Sequence, residues 1–223
     1  EDRPLQFNSF ELITGGFKSP FSKVFQQVTE DTDPDDLNGK PVSGFDRFDV
    51  SQAQMTFLQF FDRALGSSRL TVIGEVGATF IHDLPSRDEA RFGRSGVFGL
   101  GDFDSTEFAT SCEAENLNPD NCTNEGFVDD FSWGYSLQGQ LRYDNFVRGW
   151  NFLPSAAFSH GVTGNGPAPG AAFREEEKSA TVGFTFSRQR EMSASVEFVS
   201  FFGGDYNTSE DRDHVNASVS YSF

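Results

Sequence analysis

The sequence lacks long runs of apolar residues and carries little positive charge. Its mean hydropathy is −0.45, and no stretch approaches the roughly 18 apolar residues that a membrane-spanning helix needs. The 223 residues include 17 Lys and Arg against 34 Asp and Glu, a net charge of −17. Because such a charge repels phosphate backbones, we exclude nucleic acid as a partner. A membrane β-barrel is not excluded, because about half the residues of its strands are polar.

Cysteine is also scarce, with only Cys112 and Cys122 in the chain. Both lie in an Asn-, Asp- and Glu-rich segment without apolar periodicity, and no further Cys or His stands near them at a metal-ligand spacing. We therefore predict a disulfide in a surface loop. Such a bond implies an oxidising compartment such as the periplasm or the cell surface.

Phenylalanine supplies 27 of the aromatic residues, and many apolar residues recur at every second position. In residues 131–143 the odd positions are Phe, Trp, Tyr, Leu, Gly, Leu and Tyr, whereas the even positions are Ser, Gly, Ser, Gln, Gln and Arg. This period predicts a two-faced strand, long enough to cross a bilayer at a tilt. Further strands, about eight in all, are predicted at 5–13, 52–61, 70–81, 150–160, 180–187, 192–202 and 215–223.

The predicted connections alternate between short turns and long loops, and the long loops lie near 15–44, 83–130, 161–178 and 203–213. Outer-membrane barrels have short periplasmic turns and long extracellular loops. We therefore predict an all-β fold, an antiparallel transmembrane outer-membrane β-barrel. Residues 1–223 are expected to form a single barrel domain or the C-terminal part of a larger one. The aromatic residues near the short turns are expected to form the periplasmic girdle: Phe60, Phe61, Phe146, Trp150 and Phe223.

A soluble lipocalin-like barrel or a β-sandwich is the alternative fold, because its strands also alternate. The polar positions favour the membrane barrel. They carry mainly Ser, Gly, Thr and Gln, which suit a crowded lumen, whereas the outer face of a soluble protein would carry more Lys and Glu.

Four segments of the sequence resemble one proteobacterial outer-membrane family, catalogued as domain of unknown function 1302. The segments are 45–54, 74–79 with 82–85, 130–135, and 202–207 with 211–213, in that order along the chain. The resemblance implies a porin-type barrel and makes this chain similar to the C-terminal part of a longer protein. The loop that contains Cys112 and Cys122 departs from the family pattern.

The family resemblance also implies partners and cargo. Genes of this family often stand beside those of an inner-membrane exporter of the resistance-nodulation-division type and of a periplasmic lipoprotein-like carrier. The resemblance therefore implies traffic in hydrophobic or lipid-like molecules.

Charged and amide side chains in the predicted strands are expected to line the lumen: Glu75, Gln138, Gln140, Arg142, His160 and Glu197. One interpretation makes them a selectivity lining that holds or repels charged solutes. The favoured interpretation is a structural network in which Arg142 pairs with a carboxylate across strands and fills a narrow interior.

The carboxylates Asp31, Asp33 and Asp35 alternate ahead of Gly39, as at the start of a calcium loop. The segment lacks the bidentate Glu at the twelfth position, which is Val42, and Pro34 interrupts it. A solvated acidic loop is therefore favoured over a calcium site. We expect no other cofactor. Cations bridging such loops to lipopolysaccharide phosphates are a further expectation.

The sequence contains no Gly-x-Ser-x-Gly elbow and no phosphate-binding Gly-Lys-Ser/Thr loop, so we predict no enzyme activity. The predicted function is a porin-like conduit in the outer membrane. The alternative is a structural or adhesion protein that acts through its long acidic loops. Tyr221 and Phe223 end the last strand and resemble the signal that the barrel-assembly machinery reads. That strand is expected to pair with 192–202 and with either residues near 5–13 or strands outside this chain.

Overall fold

The computed structural model describes residues 2–7, 23–24, 27, 41, 43–99, 101–102, 104–105, 110–167, 173–188 and 191–222. Regular structure in these residues is almost entirely β-strand. The strands are β1 (Asp2–Gln6), β2 (Phe45–Asp62), β3 (Arg69–Ile81), β4 (Asp104–Ser105), β5 (Thr110–Ser111), β6 (Phe131–Val147), β7 (Trp150–Thr163), β8 (Lys178–Arg188), β9 (Met192–Phe202) and β10 (His214–Tyr221). Single helical turns lie at Ala64–Gly66, Gly96–Phe98, Cys112–Glu115 and Pro119–Asn121, and the described residues Lys23, Val24 and Gln27 are also helical. None of the helices in the described ranges is long and apolar enough to cross a bilayer.

Eight of the strands form one sheet, in the order β1-β2-β3-β6-β7-β8-β9-β10, and β4 and β5 form a separate hairpin. The sequence prediction of eight antiparallel strands is thereby confirmed. The sheet is not closed, because among the described residues β1 pairs with β2 alone and β10 with β9 alone. The expected pairing of β10 with 192–202 is present. Residues 8–13 of the predicted first strand lie outside the described residues.

The connections between neighbouring strands alternate in length as the sequence predicts. The shortest joins β6 to β7 through Arg148 and Gly149, which have φ values of 48° and 85°, and the flanking Val147 and Trp150 are paired. Positive φ at both central residues is the signature of a type I′ hairpin turn, whose twist matches that of the strands. The strand therefore continues further toward this turn than the sequence pattern predicts, through Val147 instead of Tyr143.

The chain divides into two compact units. We call Glu1–Gln52, Thr79–Ser132 and Gly164–Arg174 the loop unit. We call Ala53–Ala78, Trp133–Thr163 and Glu175–Phe223 the strand unit.

The loop unit has a buried hydrophobic core of its own. Phe92 is central to this core, because its ring lies 5.3 Å from that of Phe7 and 5.1 Å from that of Phe48. Backbone hydrogen bonds join the same segments, since the Val128 amide donates to the Phe92 carbonyl at 2.9 Å. The buried members of the core are Leu5, Phe7, Val24, Val50, Ile81, Ala90, Phe92 and Val128. Contacts between residues far apart in sequence thus order the connection between β3 and β6, which the sequence predicts only as a long loop.

Candidate functional site: the two faces of the sheet and the folded long loop

The register of the strands assigns each side chain of the sheet to one of two faces. Leu137 lies opposite Phe158, and Phe158 lies opposite Ala180, so these residues share a face. Gln138 lies opposite Ala157 on the other face, since side chains alternate along a strand. Apart from the register shifts of β6 at Trp133/Gly134 and Tyr143/Val147, the apolar face consists of the odd residues of β2, β6 and β10 and the even residues of β3, β7, β8 and β9. The remaining residues of these strands form the polar face.

The apolar face of the strand unit is exposed. Every buried hydrophobic residue in the described part of the chain belongs to the loop unit. By contrast, Leu137 is 46% exposed, Phe198 48% and Val219 77%. A continuous apolar surface of this kind is unfavourable in water. Further exposed side chains on this face are Met55, Phe57, Phe61, Val182, Phe186, Met192, Phe202, Val215 and Tyr221.

Aromatic rings cluster on β6, β7 and β8 beside the short turns. Phe152 is at the centre of this cluster, with ring centroids 4.8 Å from Phe186, 5.1 Å from Phe146 and 6.2 Å from Tyr143 and Phe184. The hydroxyl of Tyr143 donates to the Leu65 carbonyl at 3.1 Å, in the turn between β2 and β3. Aromatic residues are therefore concentrated at the end of the sheet where the sequence predicts the girdle.

The polar face is lined by hydroxyl groups that hydrogen-bond across strands. The hydroxyl oxygens of Ser159 and Ser179 are 2.7 Å apart on β7 and β8. Those of Ser195 and Ser218 are 2.8 Å apart on β9 and β10. A third pair, Ser193 and Ser220, is separated by 2.6 Å. The face is polar but largely uncharged across these strands.

Both arginines on the polar face of the strand unit have a carboxylate partner. Arg142 donates to Asp144 at 2.7 Å, and Arg69 donates to Asp62 at 3.0 Å. Arg142 therefore pairs with a neighbour on its own strand, whereas the sequence interpretation expects a partner across strands. The pairs are about half exposed, so each contributes at most about 1 kcal/mol to stability.

Glu75 and Glu197 are the other charged side chains on this face. The hydroxyl of Thr56 donates to Glu75 at 3.4 Å. Glu197 lies opposite Gly183 on one side and Asn216 on the other. A Cβ atom at Gly183 would come within 2.6 Å of the Ser155 hydroxyl and 3.9 Å of the Glu197 carboxylate. The absence of a side chain at Gly183 therefore provides room for the side chains of Ser155 and Glu197.

Five of the six predicted lining residues share the polar face. Gln138, Gln140 and Arg142 are even residues of β6 and lie on the same side as Glu197, through the pairs Gln140–Ser155, Ser155–Gly183 and Gly183–Glu197. Glu75 also lies on the polar face. Leu70 of β3 approaches Gly139 of β6 on the apolar face, and side chains alternate along a strand, so the odd residues of β3 share a face with the even residues of β6.

The register corrects the sequence prediction for His160, which lies on the apolar face. Its partner on β6 is Tyr135, and the two rings make an edge contact with centroids 5.6 Å apart. Lys178 lies opposite it on β8. The strand that contains His160 has apolar residues on both faces, including Leu153 and Ala157, so alternation alone does not identify which face is polar.

A second correction concerns Phe60, which the sequence assigns to the aromatic girdle together with Phe61. Adjacent residues of a strand point to opposite faces, and Phe60 lies on the polar face. Arg69 stacks on its ring, with the guanidinium carbon 5.4 Å from the centroid. Leu58 and Ile73 are on the same face, and these three side chains are 39% to 54% exposed. The polar face thus carries an exposed apolar patch near the turn between β2 and β3.

The long loop between β3 and β6 is built around buried arginine side chains. The Arg94 guanidinium donates to the carbonyls of Phe98 at 2.6 Å, Thr123 at 2.9 Å and Glu125 at 3.1 Å. Its guanidinium carbon also lies 4.8 Å from the ring centroid of the fully buried Phe127. Charge-assisted hydrogen bonds and the cation–π contact hold this loop in one conformation.

Two further links order the same loop. Cys112 and Cys122 form a disulfide, with an S–S distance of 2.09 Å. Asp129 forms an ion pair with Arg87 and accepts a hydrogen bond from the Asn165 amide at 2.8 Å. Asp129 therefore connects the loop between β3 and β6 to the loop between β7 and β8.

A small cleft of about 200 Å³ lies beside these links in the loop unit. Apolar walls come from Leu84, Phe92 and Val128, and polar atoms come from Arg87 and Asp129. The Arg87 charge is compensated by Asp129, and polar atoms contribute more of the cleft's exposed surface than apolar atoms do.

The remaining predicted sites are only partly described by the structure. Asp31, Asp33, Asp35 and Phe223 lie outside the described residues. Tyr221 lies on the apolar face and is 64% exposed. Within the described residues no three His, Cys, Asp or Glu side chains are grouped as metal ligands would be.

The fold and the site thus define an all-β protein with one open antiparallel sheet, an exposed apolar face and a hydroxyl-lined polar face. The chain belongs to the family described as protein of unknown function (DUF1302), whose model matches residues 1–223. Neither a curated protein nor a solved structure matches the chain.

No local pattern in the sequence predicts the arginine-based organisation of the long loop. Arg94 and its acceptor Thr123 are separated by 29 positions, and no motif connects them. The available signal was the pair of arginines, Arg91 and Arg94, in a strongly acidic loop that also contains Phe127.

Proposed function

We propose that the protein is an outer-membrane β-barrel that acts as a conduit for hydrophobic or amphipathic, lipid-like molecules. The observation that carries the proposal is the exposure of the apolar face of the sheet. A soluble sandwich or barrel buries its apolar face, whereas an outer-membrane barrel turns that face toward lipid and its polar face inward. No described residue of the strand unit is a buried hydrophobic side chain, which supports the second arrangement.

The lengths of the strands support the same proposal. β6 has 17 residues, β7 has 14, and β8 and β9 have 11 each. A strand needs about 9–11 residues to cross a bilayer at a tilt, whereas strands of soluble proteins are usually about 5–6 residues long. The aromatic cluster around Phe152 is typical of a membrane interface.

The apolar patch on the polar face supports an amphipathic cargo. Leu58, Phe60 and Ile73 present exposed hydrocarbon among hydroxyl and amide groups, so a solute with an apolar body could be desolvated there. The exporter and lipoprotein carrier that the family resemblance implies would exchange such a solute on the periplasmic side. Outer-membrane lipid, lipopolysaccharide and the barrel-assembly machinery are the other partners that this function requires.

The experiment that tests the conduit compares two neighbouring phenylalanines. The chain is expressed in the outer membrane of a porin-deficient host, and entry of the hydrophobic fluorophore N-phenylnaphthylamine is followed in intact cells. We expect entry above the empty-vector rate. Phe60→Ser, on the polar face, should slow entry, whereas Phe61→Ser, on the apolar face, should not. Vector-level entry with the chain inserted in the membrane would contradict the conduit.

A second candidate function is adhesion or partner binding through the loops. The loop unit has its own core and a disulfide, and Leu117 between the two cysteines is fully exposed, at 104%. An ordered, acidic loop that presents an apolar side chain is typical of a contact surface. Membrane insertion without probe entry would favour this second function.

A further inference from the structure

We infer that the conduit discriminates solutes by charge, and that it admits neutral and cationic amphipaths in preference to anionic ones. This inference rests on the proposed function, because it assumes that solutes pass along the polar face. The residues that determine the preference are Glu75 and Glu197.

The polar face of the strand unit carries more negative than positive charge in its described strands. In the described strands of the strand unit, this face carries two arginines and four carboxylates. Arg142 is bonded to Asp144 and Arg69 to Asp62, so both cations are locally neutralised. Glu75 and Glu197 have no ion-pair partner among the residues that the structure describes. The face therefore has an excess of two negative charges, and an anion meets no uncompensated cation on it.

The groups that contact or face the two carboxylates are neutral. Glu75 accepts a hydrogen bond from a neutral hydroxyl, that of Thr56. Glu197 is flanked by Gly183 and Asn216, neither of which carries a charge. Both glutamates are half-buried, so solvent screens their fields less than it screens fully exposed charges. Rings of acidic side chains are the usual means by which a pore favours cations.

The other Lys and Arg side chains in the described strands of the strand unit lie on the apolar face. Lys178 and His160 lie opposite each other on the apolar face, on the side of the sheet away from Glu197. Arg188 lies opposite Met192 on that same apolar face. The uncompensated carboxylates and the cations of Lys178 and Arg188 are thus separated by the sheet itself.

Two probes with the same aromatic skeleton test the inference. N-phenylnaphthylamine is neutral at pH 7, and anilinonaphthalene sulfonate carries one negative charge on a closely similar body. In porin-deficient cells that contain the chain in the outer membrane, we expect the neutral probe to enter faster than the anion. In the double variant Glu75→Gln and Glu197→Gln, entry of the anion should rise about threefold or more, and entry of the neutral probe should stay unchanged.

Glu113→Gln is the control for a charge lost away from the polar face, because it removes one of the negative charges of the disulfide-closed loop and leaves the polar face unaltered. The amount of folded chain in the membrane is measured for every variant by its heat-modifiable migration on gels. Equal entry of both probes into cells with the parent chain, or anion entry that the double variant does not change, would overturn the inference. If even the neutral probe fails to enter, the proposed conduit itself is wrong.

Discussion

Leu137 lies directly opposite Phe158 in the ladder of β6 and β7, and both side chains belong to the exposed apolar face. The next residue, Gln138, lies opposite Ala157 on the polar face. Two adjacent residues thus lie on the two opposite faces of the sheet, and substitutions at them compare the environments of those faces.

Lysine substitutions at these two positions should therefore have very different costs. If the apolar face contacts lipid, Leu137→Lys should reduce the free energy of folding into lipid vesicles by about 2–4 kcal/mol, because it places a charge near mid-membrane. Gln138→Lys should cost much less, since its side chain points to the polar face. Urea titrations of folding into vesicles measure both values. Equal costs would contradict the assignment of the faces.

The Cys112–Cys122 disulfide should stabilise the long loop locally. A disulfide that closes a loop of this length restricts the unfolded chain and stabilises the folded loop by about 2–3 kcal/mol. Replacing both cysteines with serine should increase hydrogen exchange and protease cleavage within 83–130, while the strand unit keeps its stability. Unchanged exchange at the Phe127 amide in the serine variant would show that the bond contributes nothing to this order.

Arg94→Met should destabilise the loop unit by roughly 2 kcal/mol or more. The substitution leaves the carbonyls of Phe98, Thr123 and Glu125 without their buried donor, and each such loss typically costs about 1–3 kcal/mol. Arg47→Met is the matched control, because Arg47 is exposed: it pairs with Asp2 at 3.2 Å, worth at most about 1 kcal/mol, and its guanidinium carbon lies 5.9 Å from the centroid of the Phe45 ring. Local stability is measured by hydrogen exchange. Similar effects of both variants would refute the structural role of Arg94.

The loop between β9 and β10 should lose order in acid. The Phe201 amide and the Ser200 hydroxyl each donate to Asp213 at 2.7 Å and hold the pKa of that carboxyl below its ordinary value. Because the pKa is lower in the folded state, the stabilisation is present above the unfolded value of about 3.9. It is lost as the pH falls through the lower folded value.

Hydrogen exchange at the Phe201 amide between about pH 6 and pH 2 measures this loss. In Asp213→Asn the protection of the Phe201 amide relative to an unfolded chain should not vary with pH, because the asparagine side chain does not ionise in this range. A parent chain whose Phe201 amide keeps the same protection throughout would contradict the role of Asp213.

The sequence alone determines the strands and most of their faces. Alternation in 131–143 and 215–223 predicts β6 and β10 with their apolar sides, because side chains of a strand necessarily point to opposite faces in turn. The same period, with the turn residues between segments, identifies seven of the eight strands of the sheet and the alternation of short and long connections, whereas the predicted first strand at 5–13 shares only residues 5 and 6 with β1. Five of the six predicted lining residues consequently lie on one face.

Only the tertiary structure decides the rest, because it depends on contacts between residues far apart in the sequence. The register against Tyr135 places His160 on the apolar face, which the mixed pattern of its own strand leaves open. Arg142 is neutralised by Asp144 and not by a carboxylate of another strand, so Glu75 and Glu197 keep their charge uncompensated. Segments that no local pattern connects are joined in the core around Phe7 and Phe92. Others are joined by the hydrogen bonds that Arg94 donates to the carbonyls of Phe98, Thr123 and Glu125.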